Sequence, residues 1–553
     1  MRLSILDYLR QALVTAAGQS GTGEALPLEA PPEHIRQDFD LSCPIGFALA
    51  AQNPGQKPLA LAQKILNNWS ALEFVEKAGV HPPAYFNVRL NAKALAEVVD
   101  QVLEEQERYP SQISWKNQNL PASVLLEFCS ANPTGPLHFG HARGAILGNT
   151  LFRIWRHLGI EVQCEYYIND IGTQIERLGC SLAARYRQEI LGEREISFPE
   201  DGYGGEYLSE LARRLPKGLD PGNAKQFADL AKKEMLELIK KDLKELDVSF
   251  DRWYPESSLH AGGQVARILG RLKASGHVEE KEGAWWFVSK GLSDEDKERV
   301  LKRSDGRATY FAGDLAYHED KLSRGHALAL NIWGADHHGY VPRVKLGLEA
   351  LGLPAKNFDA ILVQMVRLVR DGAPVKLSKR AGEYLTLGEI LGEVGRDALR
   401  FSLNSRSPNA QMDFDLELAK KKAMENPVFL VQYAHARICS IAREKETRGV
   451  AWPEESADQA PPLEEDRKTR ALVVALALFS EALLLSAKRR SPHYLTNYLI
   501  DLAGSFHSYY ETHPILSQSN SAMAFSRWRL CLAVRQVLST ALSLLGVSAP
   551  DKM

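Results

Sequence analysis

No two cysteines in this chain are spaced to clasp a metal. The six thiols, at 43, 129, 164, 180, 439 and 531, include no C-x-x-C pair. A thiolate zinc centre is therefore excluded from the expectations, no metal ligand set is assigned, and buried free thiols in a reducing cytoplasm are the reading that fits. Long apolar runs are also missing. A membrane-spanning helix needs roughly 18 or more uninterrupted apolar residues, and the nearest approach, Ala471 to Leu485, is broken by Ser480 and Glu481. The first residues show no secretory h-region. Arg2, Asp7 and Arg10 interleave with Leu3, Leu6, Leu9 and Leu13 as in an amphipathic first helix. Charge of one sign is absent too: 67 Lys and Arg against 69 Asp and Glu leave a formal net charge of −2. That balance neither requires nor forbids an anionic partner, because local patches decide such binding. There is no internal repeat and no low-complexity tract. What remains is a soluble globular protein whose 553 residues exceed a single core and predict three or four domains.

The pattern of apolar residues divides the chain in three. Residues 1–112 predict a small α/β unit, with helices near Leu3–Ala17, Pro58–Ala78 and Ala92–Glu105 and a strand over Ala84–Asn91. The polar stretch Gln106–Pro121 reads as a linker. From 113 to 405, apolar strands (Val124–Phe128, Ala329–Trp333, Ala360–Val363) alternate with helices, which predicts a Rossmann-like parallel sheet covered on both faces. A charged helical stretch, about 175–255, interrupts it as an insertion. From 406 to 553 the periodicity is helical throughout: Leu416–Tyr433, Ala436–Glu446, Arg467–Lys488, Tyr494–Thr512 and Ala522–Leu545 predict an all-α bundle, with Trp452–Glu465 as an exposed loop.

Two short motifs carry the chemistry. The strand Val124–Phe128 runs into a Gly- and Pro-rich turn and then into His138-Phe139-Gly140-His141 at a helix start. Backbone N–H groups, the positive end of a helix dipole and two imidazole donors there suit a nucleotide's phosphates, and the glycine admits a purine base close to the backbone. From 15 His and 40 Gly in the chain, the His-x-Gly-His pattern arises by chance about 0.03 times. The bland alternative is a pair of polar residues that cap a helix. About 235 residues later stands Lys376-Leu377-Ser378-Lys379-Arg380. Alone, such a basic cluster is usually a solvated surface. Paired with the imidazoles, its lysines and serine suit the charge that builds on a departing pyrophosphate.

These motifs resemble the "HIGH" and "KMSK" signatures of class I aminoacyl-tRNA synthetases, with Leu377 where the second carries methionine. Longer segments resemble the arginyl-tRNA synthetase family in particular: Glu127–His138, Asn169-Asp170-Ile171-Gly172-x-Gln174, Trp333–Gly339, Asp397–Phe401 and Asn426–Ile438. Residues 1–110 share the resemblance only loosely.

The resemblance implies an enzyme that joins L-arginine to tRNA(Arg) at the cost of ATP, which is used with Mg²⁺ and without zinc. It implies His138, His141, Lys376 and Lys379 as catalytic groups, with Gly140 and Ser378 beside them on ATP. Glu127, Ser130, Asn132, His138, Tyr310, Asp314 and Asp336 are implied for arginine. Tyr310 and Asp314 lie one helical turn apart and share a face. Metal ligation by Asp336-His337-His338 is disfavoured, because adjacent side chains at a strand end point to opposite faces. Lys420, Lys421, Lys422, Tyr433 and Arg437 of the bundle are implied for tRNA, basic groups for phosphates and aromatics for unstacked bases, and the N-terminal unit for the tRNA elbow. The expected state is a cytoplasmic monomer. Two other functions keep the same motifs in play: a nucleotidyltransferase or ligase acting on a small molecule, which would not need the helical third, and a non-catalytic RNA-binding relative, which would be expected to lose one of His138, His141 or Lys379.

Overall fold

The computed structural model describes residues 4–18, 26–110, 120–193, 195–288, 299–375, 385–450, 462–516 and 521–553. In the N-terminal unit the strand Tyr85–Leu90 lies between Leu41–Cys43 and Val75–His81, antiparallel to both. Helices Ile5–Ala16, Ile45–Gln52, Pro58–Asn68 and Ala92–Glu105 cover the sheet. The side chains of Ser4 and Asn91 cap the first and last of these. The helix expected over Pro58–Ala78 stops at Asn68, and Val75–Ala78 begins a strand. Pairing with Tyr85–Leu90 satisfies that backbone better than another helical turn would, a tertiary override of local pattern.

The second unit is built on five strands, all parallel, in the spatial order Phe358–Val363, Leu328–Gly334, Ser123–Glu127, Glu161–Ile168, Arg252–Pro255. Val124, Leu125 and Leu126 are wholly buried, as expected of a central parallel strand covered on both faces. From Ser123–Glu127 the chain first builds outward on one side and later on the other. The carboxyl ends of Ser123–Glu127 and Leu328–Gly334 thus flank a topological switch point, where open α/β sheets bind ligands. Helix Phe139–His157 lies close on this sheet, because any side chain at Gly148 would overlap the Phe128 ring.

Between Glu161–Ile168 and Arg252–Pro255 the chain inserts helices Thr173–Tyr186, Glu206–Arg214 and Ala224–Glu245, which share a core of Leu178, Leu182, Tyr186, Leu208, Leu211 and Phe227. Two small sheets were not anticipated: an antiparallel one of Val278–Lys281, Ala284–Phe287 and Arg299–Lys302, and one joining Val366–Arg370 to Ala373–Pro374 and Met412–Asp415.

The last third is a helix bundle. The expected helix Leu416–Tyr433 is broken: a short helix ends at Lys420, and a new one runs from Pro427 to Thr447 without interruption through Tyr433–Ala436. Asn426 accounts for the break. Its side chain accepts from Val428 N–H and donates to the carbonyls of Ala419 and Lys421, and proline follows at the first helical position. Arg467–Lys488 and Ser521–Leu545 are long and apolar enough, by length and composition, to cross a membrane; 72% and 67% of their most apolar 18-residue stretches are buried inside the protein, and that packing explains their apolarity.

Buried and part-buried polar contacts join the units. Arg470 pairs with Asp40 at 2.6 Å and donates to the Leu90 carbonyl, while Arg529 pairs with Asp100 at 2.6 Å. Arg400, fully buried, donates to the carbonyls of Leu246 and Leu545 and to Asn149 Oδ1. One guanidinium thereby ties the end of the insertion, the helix Phe139–His157 and the last helix of the bundle. Burial pulls its pKa down to about 9.

Candidate active site

His138 is the N-cap of helix Phe139–His157, with extended backbone (φ −106°, ψ 167°). Its Nδ1 accepts from the Gly140 N–H at 3.1 Å, and its own N–H donates to Nδ1 of His141 at 3.2 Å. The two rings lie 3.8 Å apart. They therefore act as a capping box in which imidazoles replace the usual hydroxyl and carboxylate. An Nδ1 that accepts must be unprotonated, so each neutral ring carries its proton on Nε2. Burial lowers both pKa values, and that of His141, which also feels His138, falls to about 3. The pair thus presents fixed neutral donors across the neutral pH range.

Gly140 has a reason that the sequence did not disclose: a Cβ there would stand 2.8 Å from Cε1 of His138 and force the capping ring aside. Behind the motif, Arg143 is buried and donates to the carbonyls of Gln364, Ser407 and Ala410 at 2.7–2.9 Å. Burial brings its pKa to about 10.

Lys376, Ser378 and Lys379 fall outside the described residues. The chain that follows them is anchored on the histidine motif itself. Leu387 N–H donates to the Leu137 carbonyl at 2.7 Å, Phe139 N–H donates to the Leu385 carbonyl at 3.3 Å, and His138 and Thr386 form an antiparallel bridge. Thr386 then caps helix Leu387–Val394 in a capping box with Glu389.

Beside this motif, at the carboxyl ends of the strands, lies a cluster of acidic side chains. Glu127 ends the central strand and is buried. It pairs with the ammonium of Lys321 and accepts from Ser130 Oγ at 3.0 Å. Lys321 also donates to Asn331 Oδ1 at 2.7 Å. Register explains this ladder, since Asn331, Glu127 and Glu165 align across three neighbouring strands. Glu165 accepts from Tyr317 OH at 2.7 Å and pairs with Arg324. The backbone turns sharply after Glu127, with left-handed φ values of +69° at Cys129 and +36° at Ser130. Such angles are costly for non-glycine residues and cluster at functional sites.

Helix Tyr310–Ser323 supplies the facing wall. Asp314 accepts from Tyr340 OH, and Tyr310 begins the same helix with its ring about half exposed. Burial pushes the Asp314 carboxyl up to about 7, with nearby Glu127 adding to the effect. Asn132 is exposed and donates to Gln174 at 2.7 Å. Asp336 is in a turn just past the strand Leu328–Gly334, exposed, 3.7 Å from His337. The site therefore gathers Glu127, Ser130, Asp314 and Tyr310 at one end of the sheet, while Asp336 points to solvent.

Four participants escaped sequence reasoning: Lys321, Tyr340, Tyr167 and Glu256. Glu256 directly follows the strand Arg252–Pro255, is buried, and hydrogen-bonds with Tyr167. The aromatic run Trp253-Tyr254-Pro255 ahead of Ser257-Ser258 is the signal that could have placed it at a strand end.

In the bundle, Tyr433 stacks between Phe429 and His507, and Arg437 lies over the rings of Tyr433 and Tyr510, 4.7 and 4.9 Å from their centroids. Lys420 pairs with Glu393 and Glu417, while Lys421 and Lys422 are exposed. Two side-chain groups have the composition of cation sites, His435 with Cys439 and Asp551, and Glu464 with Asp466 and His513. Both lie in the bundle, away from the acidic cluster.

A parallel sheet with a histidine pair at its switch point, and the chain at Leu385–Leu387 hydrogen-bonded against that pair, is the arrangement of a class I aminoacyl-tRNA synthetase. The family models agree in three consecutive parts: "Arginyl tRNA synthetase N terminal domain" over residues 4–90, "tRNA synthetases class I (R), catalytic domain" over 98–425, and "DALR anticodon binding domain" over 431–553. The chain is 40% identical to the arginine–tRNA ligase of Aquifex aeolicus, over 96% of either chain, and 40% identical to arginine–tRNA ligase 1 of Halalkalibacterium halodurans, over 99% of either. The arginyl-tRNA synthetase of Thermus thermophilus superposes with a TM-score of 0.76 at 26% identity, covering 99% of this chain and 100% of that one. This chain belongs to the arginyl-tRNA synthetase family.

Proposed function

We propose that the chain charges tRNA(Arg) with L-arginine in two steps. The arginine carboxylate attacks the α-phosphate of ATP, forming arginyl-adenylate and releasing pyrophosphate; the 2′-hydroxyl of the tRNA's terminal adenosine then attacks the activated carbonyl and releases AMP. The protein contributes positioning and charge stabilisation. His138 and His141 donate from Nε2 to phosphate oxygens, with Gly140 leaving the ledge beside them open. Lys376, Ser378 and Lys379 neutralise the leaving pyrophosphate, and Mg²⁺ accompanies ATP. Asp314 and Tyr310 meet the arginine side chain. Glu127, Ser130, Asn132, His138 and Asp336 complete the amino-acid subsite.

The carrying observation is that the histidine turn and the chain leaving the lysine segment are hydrogen-bonded to each other at the end of the sheet where Glu127 also stands. Residues 406–553 bind tRNA through Lys420, Lys421, Lys422, Tyr433 and Arg437, residues 1–112 approach its elbow, and the enzyme works as a cytoplasmic monomer. Six unpaired thiols support the compartment. Charging of unfractionated tRNA with each labelled amino acid in turn tests the function: arginine alone is expected to be incorporated, and incorporation of another amino acid in its place overturns it. Asp314→Asn is expected to abolish most arginine-dependent, tRNA-stimulated ATP–pyrophosphate exchange in a folded protein; near-normal exchange removes Asp314 from the site.

A further inference from the structure

A metal-ligating arrangement that no sequence spacing disclosed stands at the end of the bundle, where residues 546–553 lie along one face of helix Pro427–Thr447. Gln432 donates to the Ser548 carbonyl at 3.0 Å, His435 Nδ1 meets the Pro550 carbonyl at 3.0 Å, the Cys439 thiol donates to Asp551 Oδ1 at 3.3 Å, and Arg443 donates to the Asp551 carbonyl at 3.0 Å. Spacings of three, four and four residues put these four side chains on one helical face.

In the middle of that face, His435 Nδ1, Cys439 Sγ and an Asp551 oxygen lie within 4.8 Å of one another, with Nδ1 and Sγ 3.8 Å apart. Hydrogen bonding does not account for this last approach. The neutral imidazole puts at most one proton on Nδ1, which the Pro550 carbonyl takes, and the single thiol proton goes to Asp551, so none remains between nitrogen and sulfur. Metal geometry does account for it. With zinc–sulfur at about 2.3 Å and zinc–nitrogen or zinc–oxygen at about 2.0–2.2 Å, neighbouring ligands of a tetrahedral ion stand about 3.3–3.6 Å apart. The observed separations, 3.8 Å for nitrogen to sulfur, 3.3 Å for sulfur to carboxylate oxygen and 3.0 Å for nitrogen to the Pro550 carbonyl, bracket that range. The exposed Asp551 side chain is free to rotate inward.

We propose that His435, Cys439 and Asp551 bind a zinc-class divalent cation, with the Pro550 carbonyl as the fourth donor, and that the ion fastens the C-terminal tail to the helix that carries Tyr433 and Arg437. The inference goes beyond the charging reaction and does not depend on it. A thiolate and an imidazole beside two oxygens suit zinc, whereas magnesium and calcium take oxygen ligands. The bundle's other candidate group is already saturated: Arg527 holds both oxygens of Glu464, at 2.8 and 2.7 Å, and Asp466 caps helix Arg467–Ala477.

The electrostatics agree. Thiolate and carboxylate together cancel the charge of a divalent ion, so the neighbouring guanidinium groups of Arg443 and Arg535 face a neutral site. Burial and Asp551 hold the Cys439 thiol protonated in the metal-free protein, while Arg535, hydrogen-bonded to the sulfur, favours the thiolate. The thiol proton passes to water as the ion binds. Burial lowers the His435 pKa, so its imidazole is neutral at neutral pH and offers the Nδ1 lone pair once its proton resides on Nε2.

The test titrates the full chain, free of any affinity tag and stripped of metal, with Co²⁺ as a spectroscopic probe for zinc. A single equivalent is expected to bind with a thiolate-to-cobalt charge-transfer band in the near ultraviolet; Zn²⁺ displaces it and raises the melting temperature. The band is lost in Cys439→Ser and kept in Cys180→Ser, which removes the exposed thiol. Asp551→Asn weakens Co²⁺ binding at least about tenfold, since even groups one shell beyond the ligands are worth that much. Absence of the band, its survival in Cys439→Ser or its loss in Cys180→Ser overturns the proposal. If Cys439→Ser fails to fold, Asp551→Asn on the exposed tail decides alone, and an unchanged Co²⁺ affinity in that variant overturns the site.

Discussion

His138 does two jobs with two nitrogens, and one substitution separates them. Nδ1 accepts from the Gly140 N–H at 3.1 Å and caps the helix, while Nε2 carries the proton assigned to the ATP phosphates. In His138→Asn, Oδ1 occupies the place of Nδ1, one bond beyond Cγ, and can accept the same N–H. Asparagine is among the best N-caps, so stability should stay within about 0.5 kcal/mol of wild type, whereas His138→Ala, which caps nothing, should lose about 1 kcal/mol. Alanine has no donor, and the asparagine Nδ2 ends one bond short of the Nε2 position, so neither variant reaches the phosphates as histidine does. A hydrogen bond to a charged group contributes about 1.5–3 kcal/mol, so kcat/KM for ATP should fall about 10- to 150-fold in both. Urea unfolding and tRNA-stimulated ATP–pyrophosphate exchange measure the two quantities. Wild-type exchange by His138→Asn, or equal destabilisation of the Asn and Ala variants, would refute the division of labour.

Arg400→Met leaves the carbonyls of Leu246 and Leu545 and the amide of Asn149 without their shared donor. Leaving a buried acceptor without its donor costs about 1–3 kcal/mol each, and a large fall in the urea midpoint together with lost charging is expected; unchanged stability would show that the three segments hold without it. Arginine should raise the melting temperature more at pH 8 than at pH 6. The Asp314 carboxyl keeps its proton up to about pH 7 in the fold but releases it near its ordinary value when unfolded. Its contribution to the empty fold is thus complete below about pH 4 and lost as pH rises through 7, where arginine replaces it. A pH-independent shift in thermal unfolding would contradict this. A maleimide should label one thiol in the native protein, since of six cysteines Cys180 alone is exposed; rapid labelling of two or more, counted by mass spectrometry, would contradict the packing.

The sequence disclosed elements whose pattern was strong. The apolar run Val124–Phe128 and the helix after His138 fixed the strand-turn-helix unit, and the long helical periods fixed the bundle. Elements with mixed patterns stayed hidden. In Glu161–Ile168, three polar residues, Glu161, Gln163 and Glu165, break the continuous apolar run expected of a strand next to the centre of a covered sheet; buried Glu165 is tolerated there because Tyr317 and Arg324 complete it. Glu256 was missed because its strand is four residues long and a carboxylate after proline looks like a surface turn. The break at Asn426-Pro427 was legible as a cap followed by proline, but continuous apolar periodicity across it outweighed that signal. For His138 and His141 the motif located the chemistry, while their mutual capping depends on φ and ψ at residue 138, which no residue pattern reveals.

The most direct test of the shared phosphate site is a crystal structure with arginine, tRNA and a non-hydrolysable ATP analogue. The triphosphate is expected between Nε2 of His138 and His141 on one side and the ammonium groups of Lys376 and Lys379 on the other. A nucleotide bound elsewhere, or lysines pointing away from it, would contradict the mechanism.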